Sequence, residues 1–560
     1  MAELSATVVG AALARAAAQP AAPAFLQKRH GIWQRRAWGD AARAIEDLAL
    51  GLDAAGAPRG ATLAIISGQR VEAVLAVYAC QLAGLRPLLL HPGIAPGALA
   101  TCCEESGAVA ILAEDQEQVD KAADVLSRLP AVAHLMVIDP KGVRAYRHVH
   151  ARALEDLAAA GAARGDRADA LRRLGDALRP GDAALAYYSG GVCGDARLLA
   201  FPHAAVLAAH AGAAARLPLG GGARVMAQVA LADPLGHFFL VAAPALSGAV
   251  ACFGEGRSAT PAEMREALPE VFVAPARAFE RMRREAVARV ERAGGLRRAL
   301  YERAMRHGAA SGIQRLLIGA PLVNVMGLAR ARWIGCAYDA LSGATREFFE
   351  RLGLAVHGLY TVADALGPAA LLGEAADAAM TLFDHLEARI DDGGLLQLRS
   401  AGGGAWIATG DMAVRAGAGL ALAGRAVDRL FPDGAAPFSA GAIERELARS
   451  TFVNQAVAVG GPATGVTALI ELDEVAVRDW ARARGLAFTT ARSLAESADV
   501  QALAQAAVAE ANRRLPAAAR IRRHIVLPRP LDPGNGELTA SLALRRAFVR
   551  NRYAHLLVAA

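Results

Sequence analysis

Short apolar runs alternate with longer amphipathic segments in the first third of the chain. Apolar strands are predicted at Ala61–Ser67, Pro87–Leu90, Val109–Ala113 and His134–Asp139, and the segments between them have helical periodicity. Short strands separated by helices of about ten or more residues are typical of a parallel, doubly wound sheet. We therefore expect an α/β fold for this part of the chain.

The pattern extends in both directions from this alternation. Residues 5–18 and 40–56 have helical periodicity, with breaks predicted at Gly51 and Gly56. A second α/β run begins with a strand at Ala183–Tyr188, and residues 261–307 are predicted to be mostly helical. A β-hairpin is predicted over Ala405–Met412 and Gly419–Leu422.

The character of the sequence changes after Gly424-Arg425. A loop with prolines and a glycine leads to a helix, and strands are predicted at Gln455–Val459 and Thr467–Leu472. This arrangement predicts a small α+β domain at residues 425–560. Residues 1–424 are then expected to form a large N-terminal domain with doubly wound mixed sheets.

Composition limits the classes of partner. The chain has 560 residues, 54% of them hydrophobic and 21% charged, which is a globular composition rather than a disordered one. The net charge is +7, but the positive residues are mostly scattered arginines with no basic run interleaved with aromatics. We therefore expect a solvated basic face and no nucleic-acid partner.

The six cysteines form no CxxC pair and no zinc-type cluster, so we expect reduced thiols in a cytoplasmic protein. The N-terminus lacks a signal-peptide layout. The most apolar stretch, Phe238 to Phe253, contains a proline and is too short to span a bilayer. Peripheral membrane contact is left open.

A strand runs into a glycine-rich turn at Tyr188-Ser189-Gly190-Gly191-Val192-Cys193-Gly194, and Arg197 follows it. Glycines let the backbone approach a phosphate closely and present N–H groups to it. On its own the string is a modest signal, and an ordinary tight turn is the more common explanation.

Three later segments add to this turn: Tyr360 to Pro368, Trp406 to Asp411 with Gly424-Arg425, and Gly536 to Arg546. Together with the turn they resemble the motifs of AMP-forming acyl-CoA synthetases, specifically the long-chain fatty acyl-CoA synthetase branch of the adenylate-forming family. The resemblance covers essentially the whole chain and implies the fold of those enzymes.

The resemblance also implies ligands and sites. It implies ATP or AMP, Mg²⁺ and CoA as cofactors, a fatty acid or acyl-CoA as the other ligand, and an acyl pocket near Asp233–Phe239. Asp364 is at the position of the family's Mg²⁺-binding glutamate. The implied nucleotide-binding residues are Ser189, Gly190, Gly191, Gly194, Tyr360, Asp411 and Arg425. For the two aspartates, an exposed loop acid and a turn-capping residue are the alternatives.

The chain departs from the family pattern at residues expected to act on adenylation. Val192 and Cys193 replace the two threonines of the phosphate loop, and Arg197 stands at its lysine position. The C-terminal catalytic lysine falls on Ala543, and no lysine follows Lys141. We therefore expect impaired adenylation. Three hypotheses stay open: a ligase with an altered site, a relative that binds AMP, acyl-adenylate or acyl-CoA, and a scaffold.

Overall fold

A computed structural model describes most of the chain. The described residues are 4–146, 149–189, 197–256, 260–293, 295, 298–299, 301–303, 319–338, 341–373, 378–430, 438–461, 465–486, 488, 490–539 and 543–558. Gly190, Gly191, Val192, Cys193 and Gly194 lie outside this set.

The strands are short, as the alternation of the sequence predicts. In chain order they are β1 Pro23–Arg29, β2 Ile32–Ala37, β3 Thr62–Ile66, β4 Arg86–Leu90, β5 Ala108–Ala113, β6 His134–Val137, β7 Ala151–Ala153, β8 Ala183–Tyr188, β9 Leu198–Pro202, β10 Arg224–Ala227, β11 Val250–Phe253, β12 Val271–Pro275, β13 Trp333–Ala337, β14 Val356–Val362, β15 Gly367–Leu371, β16 Thr381–Leu382, β17 Leu386–Ile390, β18 Leu395–Ser400, β19 Ile407–Ala416, β20 Gly419–Arg425, β21 Arg429–Leu430, β22 Phe438–Ser439, β23 Val453–Gly461, β24 Gly465–Leu472 and β25 Ile521–Val526.

The α-helices connect these strands. They are α1 Val8–Ala18, α2 Trp38–Ala54, α3 Val71–Leu82, α4 Pro96–Ser106, α5 Gln116–Ala123, α6 Leu154–Ala162, α7 Arg167–Ala177, α8 His203–Arg216, α9 Pro234–His237, α10 Ala243–Ser247, α11 Pro261–Ala267, α12 Ala276–Ala293, α13 Ala320–Val325, α14 Gly343–Arg351, α15 Ala440–Leu447, α16 Glu474–Ala483, α17 Ala491–Ala495, α18 Ala498–Arg514, α19 Arg546–Arg552 and α20 Ala554–Val558.

Two large sheets form the body of the N-terminal part. One has the strand order β7-β6-β5-β3-β4-β8-β9 and is parallel except for β9, and the other has the order β16-β15-β14-β13-β12-β10-β11-β1-β2. Strands β17 to β20 form a third, antiparallel sheet. These mixed sheets with intervening helices confirm the predicted fold class.

The C-terminal residues have a core of their own. Strands β23, β24 and β25 form a sheet, and helices α15 and α18 cover it through a cluster that includes Leu430, Ile443, Leu447 and Ile470. The structure therefore has a small C-terminal domain. The boundary between residues 424 and 425 stays a prediction.

The predicted helix break at Gly51 is wrong, because α2 continues through it to Ala54. A Cβ atom at Gly51 would lie 2.2 Å from the carbonyl oxygen of Leu157 on α6. A Cβ atom at Gly161 would lie 1.9 Å from the carbonyl oxygen of Asp47 on α2. The two glycines thus let the backbones of α2 and α6 touch. Gly56, with φ +76°, follows the helix end as expected.

The sequence pattern did not predict β12 or the hairpin of β1 and β2. The described part of residues 261–307 is mostly helical, as expected, but the prediction did not include β12, a buried strand between β10 and β13. The β1–β2 hairpin had no prediction at all. Strand β2 lies at the sheet edge with mixed exposure, so its side chains do not alternate between apolar and polar.

Candidate functional site

Strands β8 and β9 place the base of the glycine-rich turn. They pair as an antiparallel hairpin with Tyr188 opposite Leu198. The Ser189 backbone N–H donates to the Arg197 carbonyl oxygen at 2.9 Å, and the Arg197 backbone N–H donates to Ser189 Oγ at 2.9 Å. The hairpin therefore fixes both ends of the turn. The predicted contacts of Gly190, Gly191 and Gly194 stay predictions.

Three of the predicted nucleotide residues meet where β14 approaches the β17–β20 sheet. Tyr360 on β14 donates its hydroxyl hydrogen to Asp411 Oδ2 at 2.7 Å. Arg425 on β20 lies opposite Asp411 on β19. An ionised carboxylate has about four lone-pair positions, so this residue type can accept from a tyrosine hydroxyl and from a vicinal diol at the same time. The Tyr360 ring is only 6% exposed.

Local hydrogen bonds hold Asp411 in place. Its backbone N–H donates to Thr409 Oγ1 at 3.1 Å, and that hydroxyl donates to the Leu396 carbonyl oxygen at 2.9 Å. Gly410, with φ +79°, lies between Thr409 and Asp411. The carboxylate is thus oriented by β18 and by its own strand before any ligand arrives.

Asp364 and Arg197 come together from different sheets. Asp364 is in a 3₁₀ turn, Ala363–Ala365, which follows β14 and contacts β18 and β19. The Arg197 guanidinium donates to Asp364 Oδ1 in a close ion pair. The residue implied as a Mg²⁺ ligand, Asp364, is therefore paired with Arg197, the residue at the position of the phosphate-loop lysine.

Ala543 is hydrogen-bonded to Thr539 in the C-terminal domain. The Thr539 backbone N–H donates to the Ala543 carbonyl oxygen at 2.8 Å, and the Ala543 backbone N–H donates to Thr539 Oγ1 at 3.0 Å. Three residues later, Arg546 donates to Asp428 Oδ1 at 2.7 Å. Asp428 ends the 3₁₀ turn Ala426–Asp428, which also contains the exposed residue Val427 and directly follows Arg425.

The segment predicted to line an acyl pocket is buried and irregular. A π-helical turn, Phe238–Ala242, separates α9 from α10, and such turns are frequent at functional sites. Burial raises the pKa of Asp233 to about 6, although the Tyr338 hydroxyl donates to Asp233 Oδ2 at 2.9 Å and opposes the rise. Tyr338 has φ 72°, which strains the backbone of a bulky residue.

His237 of this segment packs against His210 of α8, a residue that belongs to none of the sequence motifs. His210 and His237 are fully buried, with ring centroids 5.1 Å apart. The two ring nitrogens of His237 have no hydrogen-bond partner among the described protein atoms. The same is true of the hydroxyl of buried Tyr187. Two histidines 27 residues apart carry no periodic signal, so only the packing of α8 against α9 reveals the pair.

The buried histidines should make the fold acid-labile. Burial lowers the pKa of His210 to about 4, and the bond of its Nε2 to the Leu366 carbonyl oxygen, 3.0 Å long, only partly opposes this. The stability that neutral His210 contributes is then fully present above the unfolded pKa of 6.5 and is lost as the pH falls towards 4. At 1.36 kcal/mol per pKa unit, His210 should account for about 3 kcal/mol.

Urea unfolding measured from pH 7 to pH 4 checks this expectation. His210→Gln, which keeps a donor for Leu366, should lose about 3 kcal/mol less over that interval than the unmodified chain. His555→Gln, at an exposed position on α20, is the matched control and should follow the unmodified curve. Parallel curves for His210→Gln and the unmodified chain would show that His210 is not buried as a neutral ring.

Comparison with known families supports the reading of these motifs. The family model described as AMP-binding enzyme matches residues 13–410. The chain belongs to the AMP-binding enzyme family. Members of this adenylate-forming family bind ATP or AMP, and the match covers the sheets that carry Ser189, Tyr360 and Asp364.

Relatives in sequence are ligases of mycobacteria. The long-chain-fatty-acid–CoA ligase FadD15 of Mycobacterium tuberculosis is 25% identical over 570 residues, covering 94% of this chain and 92% of its own length. The putative fatty-acid–CoA ligase fadD11 of the same organism is 34% identical, but over 107 residues only, or 19% of each chain. The resemblance to the acyl-CoA synthetase family is confirmed.

Solved structures share the fold at low sequence identity. The adenylation domain of a carboxylic acid reductase from Mycobacterium chelonae superimposes with a TM-score of 0.77 at 16% identity, covering 98% of this chain and 90% of that one. The corresponding domain from Segniliparus rugosus, solved with AMP and a co-purified carboxylic acid, has a TM-score of 0.76 at 15% identity, covering 98% and 93%. At these identities the comparison shows the fold alone.

Among the described residues, no helix combines the length and the apolar character needed to cross a bilayer.

Proposed function

We propose that this chain is a long-chain fatty acyl-CoA synthetase-like protein that binds AMP and acyl-adenylate but forms acyl-adenylate slowly. The observation that carries the proposal is a contrast within one site. The Tyr360–Asp411 hydrogen bond and the adjacent Arg425 provide a preorganised place for a nucleotide. Ala543, at the position of the family's catalytic lysine, provides no donor to the reacting carboxylate.

The nearby arginines do not replace that lysine. Arg545 donates to the Gly536 carbonyl oxygen at 3.2 Å and lies over the Phe548 ring. Arg546 is engaged with Asp428 and Glu444. Losing one preorganised donor to transition-state charge typically costs ~10²–10³ in rate. These engagements support slow adenylation.

The second half-reaction of the family makes different demands. The thiol sulfur of CoA attacks the acyl carbon, the bond from that carbon to the AMP oxygen breaks, AMP leaves, and the thiol proton is released. The resemblance assigns the lysine to adenylation and not to this step. We therefore expect the chain to convert supplied acyl-adenylate and CoA, with Asp411 and Tyr360 holding the adenylate.

The deciding experiment is ATP–pyrophosphate exchange with a panel of fatty acids, run beside calorimetric binding of AMP and ATP. We expect background exchange and clear AMP binding. An exchange rate comparable to that of an ordinary synthetase would overturn the proposal that adenylation is slow. Absence of both exchange and nucleotide binding would leave a scaffold, a protein that keeps the fold for a partner, as the better description.

Asp411→Ala should weaken AMP binding. Hydrogen bonds to a charged group contribute roughly 1.5–3 kcal/mol, so the loss should be about 10-fold to 100-fold in Kd by calorimetry. Asp384→Ala is the matched control, because the Asp384 side chain is 78% exposed. Tyr360→Phe keeps the ring and should weaken binding less than Asp411→Ala. Unchanged AMP affinity in Asp411→Ala would remove this residue from the site.

A further inference from the structure

The contact between Arg197 and Asp364 joins two sheets, and Arg197 follows the segment of the glycine-rich turn in the sequence. Arg197 is anchored through its backbone, which exchanges two hydrogen bonds with Ser189. Asp364 is anchored by the turn after β14, and its side chain is 24% exposed. The Arg197 side chain is 61% exposed, so its guanidinium reaches the carboxylate and still faces solvent.

The donor set at this position does not fit a magnesium ion. Mg²⁺ requires near-octahedral oxygen ligands at about 2.0–2.1 Å, usually one or two carboxylates with substrate phosphates and water. Here the Asp364 carboxylate accepts from a permanently charged guanidinium, and aspartate reaches one methylene less far than the family's glutamate.

The net charge at this position therefore differs from that of a site that holds a metal ion. A carboxylate with a divalent cation has a net charge of about +1, whereas the Asp364–Arg197 pair has a net charge of about zero. The smaller positive field suits a monophosphate better than a triphosphate. A guanidinium has five N–H donors in a planar fork, so one edge can hold Asp364 while another edge donates to a phosphate oxygen.

We propose that the Arg197 guanidinium takes the place of the divalent cation beside Asp364, so that this site binds AMP or an acyl-adenylate without a metal and disfavours Mg²⁺–ATP. The inference rests on the proposed function. It adds that the nucleotide bound is a monophosphate and not a triphosphate. Arg197 acts here as a binding residue for the α-phosphate, and Asp364 orients it.

The first test is calorimetry on the full chain with AMP and ATP, each in EDTA and in excess Mg²⁺. AMP should bind with the same Kd in both buffers, and ATP should bind more weakly than AMP with no gain from Mg²⁺. AMP binding that requires Mg²⁺ overturns this inference alone. No AMP binding in either buffer overturns the proposed function and this inference with it.

The second test changes the arginine. Arg197→Gln should weaken AMP binding about 10-fold, since a charge-assisted hydrogen bond is removed. It should also expose Asp364 to a cation, so that Mn²⁺, a paramagnetic substitute, binds in the presence of ATP and is detected by electron paramagnetic resonance. Arg197→Lys keeps the charge and should remain independent of metal.

A matched control separates this site from general loss of charge. Arg172→Gln removes another arginine that pairs with an aspartate, Asp169, on the exposed face of α7. It should leave the Kd for AMP and the Mn²⁺ signal unchanged. Equal Mn²⁺ binding by the unmodified chain and by Arg197→Gln, with both folded by circular dichroism, would show that the guanidinium does not exclude the cation.

Discussion

Ala543→Lys should raise the rate of ATP–pyrophosphate exchange by about 10²-fold with a fatty acid that the protein binds. The substitution returns a mobile cationic donor to the position where the family stabilises charge between the carboxylate and the α-phosphate, and such donors are worth ~10²–10³ in rate. The hydrogen bonds between Thr539 and residue 543 use only the backbone N–H and carbonyl oxygen of residue 543. A longer side chain at residue 543 therefore leaves these bonds in place.

Ala543→Met is the matched control for this gain. It adds a side chain of similar length without charge, so it should leave exchange at background. Adding Val192→Thr and Cys193→Thr to Ala543→Lys should raise exchange further, since hydroxyl donors return to the phosphate loop. If Ala543→Lys and Ala543→Met behave alike, the missing lysine does not limit adenylation in this chain.

Arg546→Met should destabilise the C-terminal domain by about 3–5 kcal/mol. The Arg546 side chain is 11% exposed and binds two carboxylates, Asp428 and Glu444, which are each 17% exposed. Burial lowers the pKa of this guanidinium, but Glu444 and Asp428 outweigh burial, so its pKa is raised above the usual value. Removing the cation leaves two partly buried charges without their partner, the costly way to break such a pair.

Hydrogen exchange followed by mass spectrometry measures this loss where it occurs. Peptides from α15 and α19 should lose protection by that amount, since Glu444 belongs to α15 and Arg546 begins α19. The control is Arg550→Met, an exposed arginine on the same helix, which should change protection by less than about 0.5 kcal/mol. A loss below about 1 kcal/mol in Arg546→Met would mean that water compensates both carboxylates.

Ala543→Lys and Arg546→Met change residues of one short segment, 543–546. Arg546 also donates to the Ala458 carbonyl oxygen at 3.0 Å, so its guanidinium joins α19, β23 and the turn that ends at Asp428. Ala543 lies three residues before it. If Arg546 sets the position of residue 543, Arg546→Met should also cancel the exchange gained in Ala543→Lys, even where the domain remains folded.

Strongly patterned elements were predictable from the sequence. The alternation that predicted strands at Ala61–Ser67 and Val109–Ala113 corresponds to β3 and β5, which are buried on both faces and therefore continuously apolar. The break at Gly51 was misjudged because the space beside a glycine is set by its neighbour α6, which is about a hundred residues away in the chain.

The sequence alone determined the family motifs and their departures: the glycine-rich turn, Asp411, Arg425, and the absence of a lysine at residue 543. These are properties of residue type at fixed spacing, so they need no coordinates. Tertiary structure decided the pairings, namely Arg197 with Asp364, Tyr360 with Asp411, His210 beside His237, and Arg546 between two carboxylates. Each joins residues from separate elements, and such contacts arise only when the sheets pack and fix the directions of the side chains.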